Sequence, residues 1–126
     1  MKTIALLLAL CATAQAAPPD SFFRALHIVE TSGKRGPILG DNGRALGPLQ
    51  IHKAYHADAR IGGDYARCED LDYSKRVVTA YLQRYAPQAW AAGDVSTLAR
   101  IHNGGPRGDK KPATIGYAAK VTRLVK

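Results

Sequence analysis

At 126 residues, 46% of them hydrophobic and 22% charged, the chain has the size of one compact domain, which excludes a multidomain machine. Ordinary apolar content and a net charge of +8 also exclude a wholly disordered chain. The excess of Lys and Arg points to acidic partners: nucleic acid, anionic lipid or the polyanionic envelope of a bacterium.

Lys2 supplies a positive start, Thr3 to Ala12 an apolar run, and Ala14-Gln15-Ala16 a small-residue cleavage signal. Residues 1–16 therefore read as a secretory signal peptide and 17–126 as one exported, soluble domain. The apolar run is shorter than the roughly 20 residues of a membrane span, so no membrane insertion is expected. Leu10 is bulky where a lipoprotein signal carries a small residue before its cysteine, which argues against an anchor at Cys11. Cleavage leaves Cys68 with no partner in its own chain. A free cysteine of this kind is expected to be buried, and stability must come from a packed core.

Asp20 or Ser21 is placed to cap a helix whose Phe22, Phe23, Leu26 and Val29 recur at helical spacing; it ends near Glu30, with Gly33 as its stop. From Lys34 to Leu46 the composition turns to Gly, Pro and Asn. There Ile38-Leu39 precede the turn signal Asp41-Asn42-Gly43, which predicts a small hairpin or irregular β-wing. Pro48 suits the first turn of a helix running through Ile51 and Tyr55. Asp72 is expected to cap a helix with Val77, Val78, Tyr81, Leu82 and Tyr85 on one face, followed by Pro87. Asp94 or Ser96 starts a shorter helix carrying Leu98 and Ile101, which runs into the chain-breaking Asn103-Gly104-Gly105-Pro106. Pro112 or Thr114 opens a last helix with Ala118, Val121 and Leu124 or Val125 inward. Five helices and a β-wing predict a mostly helical α+β domain without repeats.

Glutamate is scarce: Glu30 and Glu69 are its only occurrences. Glu30 closes an apolar helix after Ile28 and Val29, a setting that desolvates the carboxyl and raises its pKa, as a general acid requires. Asp41, in a polar glycine-bearing turn, is expected to stay ionised. Two carboxylates in contrasting surroundings meet the demands of glycoside cleavage: one protonates the leaving oxygen while the other attacks or shields the oxocarbenium centre. The same residues also fit a plainer role, with Glu30 paired to Arg24, Lys34 or Arg35 and Asp41 making an Asx turn. His52 and His56 stand at metal-ligand spacing, but no glutamate of an H-E-x-x-H motif and no third ligand accompanies them, so no metal is expected. Arg107, Lys110 and Lys111 form a basic cluster suited to an acidic wall polymer or to solvent; the cations are scattered rather than striped, which speaks against nucleic acid.

Gly47-Pro48-Leu49-Gln50-Ile51, with Glu30 upstream on a helix, then the run Ala99-Arg100-Ile101-His102-Asn103-Gly104-Gly105-Pro106-Arg107-Gly108 and the following Ala113-Thr114-Ile115-Gly116-Tyr117, closely resemble the invertebrate-type (destabilase) lysozymes. The likeness spans nearly the whole of 17–126, and IHNGGPRG is its specific part. A glutamate followed by G-x-x-Q-I is shared more widely with goose-type lysozymes and lytic transglycosylases. The resemblance implies a lysozyme-like fold, no cofactor, and hydrolysis of the β-1,4 bond between N-acetylmuramic acid and N-acetylglucosamine in bacterial peptidoglycan, with Glu30 as the acid and Asp41 as the second carboxylate of a retaining mechanism.

By the same resemblance His102 lies near the cleft, where it either binds substrate, orients Asp41 or is a structural histidine at a helix end. Gln50 and Asn103 offer amides suited to acetamido groups, with a structural role open for Gln50. Gly104 lies where the family's cleft wall runs, and Tyr117 either stacks on a sugar or packs in the core. The chain departs from the family in three respects. Typical members are cysteine-dense, whereas only Cys68 remains here after processing; Thr31-Ser32-Gly33 stands where Ser-Gly would directly follow the acid; and Ala45-Leu46 replaces the serine to which an isopeptidase activity is attributed, so that activity is not carried over. A lytic transglycosylase and a non-catalytic, cationic wall-binding protein are the alternative readings.

Overall fold

A computed structural model describes residues 17–126; the expected signal peptide, residues 1–16, lies outside the described residues. Helix α1 spans Asp20–Thr31 and buries Phe22, Ala25 and Leu26, the stripe expected from spacing. Its start differs from expectation. Pro19 is the N-cap, Asp20 is the first helical residue, where its charge suits the helix dipole, and the Ser21 hydroxyl donates to the Lys126 carbonyl at 3.0 Å. Ser32, in the left-handed region, closes the helix: its N–H donates to the Ile28 carbonyl and that of Gly33 to His27.

The wing is a three-stranded antiparallel sheet in the order β1 (Leu39–Gly40), β2 (Ala45–Leu46) and β3 (Ile51–His52), with Leu39 opposite Leu46 and Ala45 opposite His52. Asp41 and Asn42 both adopt positive φ, and Gly43 N–H closes the turn on the Gly40 carbonyl at 3.0 Å. Asp, Asn and Gly tolerate that conformation best, which is why the turn signal was legible.

The helix expected from Pro48 begins at Lys53 instead: α2 is Lys53–Ala59. Gly47 and Gln50 both sit at positive φ, which no right-handed helix admits, and pairing of Ile51 with Leu46 makes the intervening residues 47–50 a tight turn between strands. Helix α3, Leu71–Tyr85, is capped by Asp70 rather than Asp72; its carboxylate accepts from Tyr73 N–H at 2.8 Å. Pro87 ends α3 as expected but also opens a helix that patterning missed, α4 (Pro87–Ala92), with proline in the first turn. Asp94 caps α5, Val95–Gly104, and α6 runs Ile115–Leu124 after a 3₁₀ turn at Pro112–Thr114. Ala118 and Val121 point inward, and Val125 rather than Leu124 joins the core.

The core gathers where α3, α5, α1 and α6 meet, with Val77, Val78, Leu82, Leu98, Leu26 and Val121 fully buried. Cys68 is also fully buried, as expected, and burial pushes its thiol up to about 11. Among the described residues no helix is long and apolar enough to cross a membrane.

Gly47 pins the wing to the body of the domain. Its φ is +81°, and a β-carbon there would land on the carbonyl oxygen of Cys68. Gly47→Ala is expected to lower unfolding stability by about 3 kcal/mol or more, from strain plus lost close packing. A denaturant midpoint matching that of the parent would contradict this role.

Candidate active site

A cleft of about 530 Å³ lies between the wing and the ends of α1 and α5, lined by Glu30, Asp41, Ala45, Gln50, His52, Tyr55, His102, Asn103 and Gly105. Both carboxylates singled out from sequence therefore border one hollow. Their surroundings differ as their sequence contexts require.

Glu30 stands one residue from the end of α1, with its side chain 17% exposed. Burial raises its pKa above the ordinary 4.5, and a 2.6 Å hydrogen bond from the Tyr117 hydroxyl to Oε1 partly opposes that rise. None of the anticipated partners, Arg24, Lys34 or Arg35, pairs with it among the described residues. The nearest basic group is His102, whose Nε2 lies 3.9 Å from Oε1. Its side chain is only 4% exposed, and burial lowers its pKa to about 4, against a smaller opposing effect of a backbone hydrogen bond at Leu49. His102 is thus neutral near pH 7, and the contact is a polar one rather than a charged pair. Without a fixed cation beside it, the carboxyl of Glu30 has only Tyr117 to favour its anion.

Behind His102 the Tyr55 hydroxyl lies 2.8 Å from Nδ1, and the Tyr55 ring stacks on Tyr81 with centroids 3.6 Å apart. Burial raises the Tyr55 pKa, so the phenol stays protonated in this contact with the imidazole.

Asp41 is 47% exposed and held from two sides: Oδ1 lies 3.0 Å from the Arg44 guanidinium, and Oδ2 lies 3.2 Å from Nε2 of His52. Arg44 also donates to the Asp41 carbonyl at 3.1 Å, fixing backbone and side chain together. The histidine that orients Asp41 is therefore His52, and His102 attends Glu30 instead. His52 belongs to β3, while His56, on α2, meets the Tyr73 hydroxyl at 2.7 Å, so the pair with metal-ligand spacing serves two different partners. Among the described residues no group of three or more His, Cys, Asp or Glu converges on a point that could hold a metal ion.

The remaining candidates divide. Gln50 lines the cleft, but its amide nitrogen is engaged by the Ile38 and Gly47 carbonyls at 3.1 and 2.9 Å, and its oxygen packs where a β-carbon on Gly40 would be. Asn103 is exposed at the cleft rim. Gly104 faces away: a β-carbon there would sit 2.6 Å from the Thr114 methyl, and its carbonyl accepts from Lys111 at 2.6 Å. Gly105, at φ +86°, lines the cleft in its place. Tyr117 packs against the core and reaches the site through its hydroxyl rather than its ring face. Tyr55, placed by sequence only on a helix, is a cleft residue, and its partner His102 lies 47 positions away, beyond any local signal.

No family model matches the chain. The lysozyme of Meretrix lusoria is 39% identical over 82 residues, covering 64% of this chain and 67% of that protein. Invertebrate-type lysozyme 6 of Caenorhabditis elegans is 40% identical over 85 residues, 58% of this chain and 62% of its own length. The chain belongs to the invertebrate-type lysozymes. It spans 58% of the Ostrea edulis lysozyme, with which it is 38% identical over 80 residues. The crystal structure of Tapes japonica lysozyme superposes with a TM-score of 0.72 at 28% identity, covering 86% of this chain and 94% of that one. An inhibitor-bound lysozyme from Meretrix lusoria gives 0.71 at 27% identity, over 85% and 90%. The chain thus has the mostly helical α+β, lysozyme-like fold with a small wing that its sequence predicts.

The buried imidazole makes a stability prediction. His102 titrates near 6.5 in the unfolded chain and near 4 in the fold, so between those values the unfolded chain binds the extra proton. The stability this group contributes is present in full above pH 6.5 and is lost as the pH falls through about 4, a total on the order of 3 kcal/mol. Glu30 acts in the opposite sense, since the fold raises its pKa. Urea unfolding from pH 7 to 4 is therefore expected to fall less steeply for His102→Asn than for the parent, whatever the offset between them. Parallel pH profiles would refute the neutral, buried imidazole.

Proposed function

We propose that this chain is a muramidase, exported after removal of residues 1–16, whose domain 17–126 hydrolyses the β-1,4 bond between N-acetylmuramic acid and N-acetylglucosamine in bacterial peptidoglycan. One observation carries the reading: a single cleft holds a desolvated carboxyl with a raised pKa, Glu30, and a half-exposed carboxylate fixed between Arg44 and His52, Asp41. Membership of the invertebrate-type lysozymes supports it.

In this mechanism Glu30 enters protonated and donates to the glycosidic oxygen. Asp41, its oxygens held by the two basic side chains, attacks or shields the developing oxocarbenium centre; Glu30, now a carboxylate, takes a proton from the incoming water. Retention follows if the two carboxyls act about 5–5.5 Å apart. The Tyr117 hydroxyl, kept protonated by burial, strengthens its bond as Glu30 becomes anionic, which eases the first proton transfer. Gln50 braces the wing that carries Asp41, and Asn103 at the rim is free to meet an acetamido group. Gly105 shapes the backbone of the wall, with Gly104 behind it, and no cofactor takes part. Removal of Lys2 with residues 1–16 leaves the domain with a strong excess of cations, which favours encounter with an anionic wall; the protein is read as secreted and antibacterial, without membrane insertion, and its scattered cations speak against nucleic acid.

Mass spectrometry of fragments released from purified peptidoglycan tests the assignment. The parent is expected to release fragments with water added, while Glu30→Gln and Asp41→Asn each lose roughly 10²–10⁴-fold in rate. Anhydro-sugar ends with a dispensable Asp41 would move the chain to the lytic transglycosylases. No fragments from the parent would leave a non-catalytic wall-binding protein.

Tyr117→Phe gives an independent test of sign. Because its hydrogen bond lowers the Glu30 pKa, removing it raises that pKa further. The acid stays protonated to higher pH, so the alkaline limb of the pH–rate profile is expected to move upward while the maximal rate falls. A limb unmoved or shifted downward would contradict Tyr117 as the partner of the acid.

A further inference from the structure

The wing carries a second hollow beside the cleft, of about 310 Å³, lined by Gly43, Arg44, His52, Lys53, Ala54 and Tyr65. His52 borders both hollows, so the two lie side by side on the wing. Ala45, paired across the sheet with His52, faces the cleft, while Gly43 and Arg44 just before it border the second hollow.

The lining is chemically one-sided. It contains two cations and no carboxylate. Arg44 is already engaged by Asp41, but among the described residues no carboxylate lies within ion-pairing distance of Lys53. The Lys53 ammonium is exposed and stands 5.9 Å from the centroid of the Tyr65 ring. Tyr65 spends its hydroxyl on the Ile51 carbonyl at 2.6 Å, so its ring and the Ala54 methyl remain as an apolar wall. At Gly43 even an added β-carbon would meet nothing within 4 Å, which leaves that side open. The hollow therefore fits a small, partly apolar group that bears a negative charge and is joined to something held in the cleft.

A peptidoglycan strand presents such a group. Each muramic acid carries a lactyl ether extended by a short peptide whose first residues combine a methyl side chain with a carboxylate. We propose that this second hollow is a binding site for the acidic stem peptide of the substrate strand, with Lys53 as the charge that receives it. The proposal rests on the muramidase reading of the cleft. It makes the wing two-sided: one face carries Asp41 toward the sugar, and the other selects glycan that still bears its peptide.

Calorimetric titration in a Glu30→Gln background, where cleavage is slow, tests it with two probes: a tetrasaccharide of alternating N-acetylglucosamine and N-acetylmuramic acid bearing alanyl-γ-glutamyl arms, and a peptide-free form of the same tetrasaccharide whose lactyl carboxyls are capped as neutral methylamides. The peptide-bearing probe is expected to bind roughly fivefold more tightly, the scale of one exposed ion pair with apolar contact. Lys53→Glu is expected to abolish that preference and leave the bare glycan unaffected, and Lys53→Arg to retain it. Equal affinity for both probes, or a Lys53→Glu loss shared by both, would overturn the proposal. Failure of the muramidase reading is a separate result: it appears as absence of turnover by the parent protein, whether or not the binding contrast is present.

Discussion

Glu30 and Tyr117 stand 87 positions apart and meet through one 2.6 Å hydrogen bond inside a largely buried pocket. The chemistry depends on how that meeting is arranged. Burial alone drives Glu30 toward its neutral form; a cation in contact would drive it back, and the fold supplies a neutral histidine and a phenol instead. To bring Tyr117 there, α6 must pack on α1, and the glycine-rich segment after α5 must turn the chain to reach it. Side-chain bonds fasten that segment: Thr114 donates to the Gly108 carbonyl at 2.7 Å, Arg100 reaches Thr114 at 2.9 Å and the Lys111 carbonyl at 3.0 Å. Gly108 packs against the Arg100 carbonyl where no β-carbon fits. The residues of ARIHNGGPRG thus combine one cleft histidine with a fastening that sets the acid's surroundings.

Asp41 is placed by a different device. Its backbone occupies the left-handed region in a four-residue turn, and the turn is held to the domain by Gly47 and by the amide of Gln50. The Thr31 hydroxyl, next to Glu30, donates to the Pro48 carbonyl at 2.9 Å. That bond ties the end of the acid's helix to the segment that braces the wing, so both carboxylates are referred to one frame. Where cysteine-dense relatives of the resemblance would use disulfides, this chain uses polar and aromatic contacts. Tyr73 donates to the Gly62 carbonyl at 2.6 Å, accepts His56 nearby, and lies beneath the Arg67 and Arg76 guanidinium groups at 4.3 and 5.3 Å. Ser74 donates to the Cys68 carbonyl at 2.8 Å, and the buried thiol beside it is kept protonated and unreactive.

What could be read from sequence followed local rules. Helical spacing located α1, α3, α5 and α6 because each buries a stripe of its own, and Asp41-Asn42-Gly43 announced its turn because few other residues accept that backbone. Glu30 was legible for a related reason, since a lone glutamate at the end of an apolar helix has an unusual environment written beside it. The errors arose where tertiary contacts outweighed local preference. Pro48 suits a helix start, yet strand pairing of Ile51 with Leu46 took its neighbours, and that displacement moved His52 off α2 and onto the wing beside Asp41. Asp70 and Asp72 are equally good caps by type, and only the first turn of α3 decides between them. The roles of Tyr55 and Tyr117 rest on partners 47 and 87 positions away, which no periodicity encodes.

The central claim is that desolvation holds Glu30 above its ordinary range in the free protein. Glutamate labelled with carbon-13 at the side-chain carboxyl gives only two signals, from Glu30 and Glu69, and Glu30→Gln assigns them. Nuclear magnetic resonance titration of the Glu30 carboxyl is predicted to give a midpoint above 4.5. A midpoint at or below 4.5 would mean that the anion is the favoured form in the cleft, and the account of Glu30 as a proton donor would be wrong.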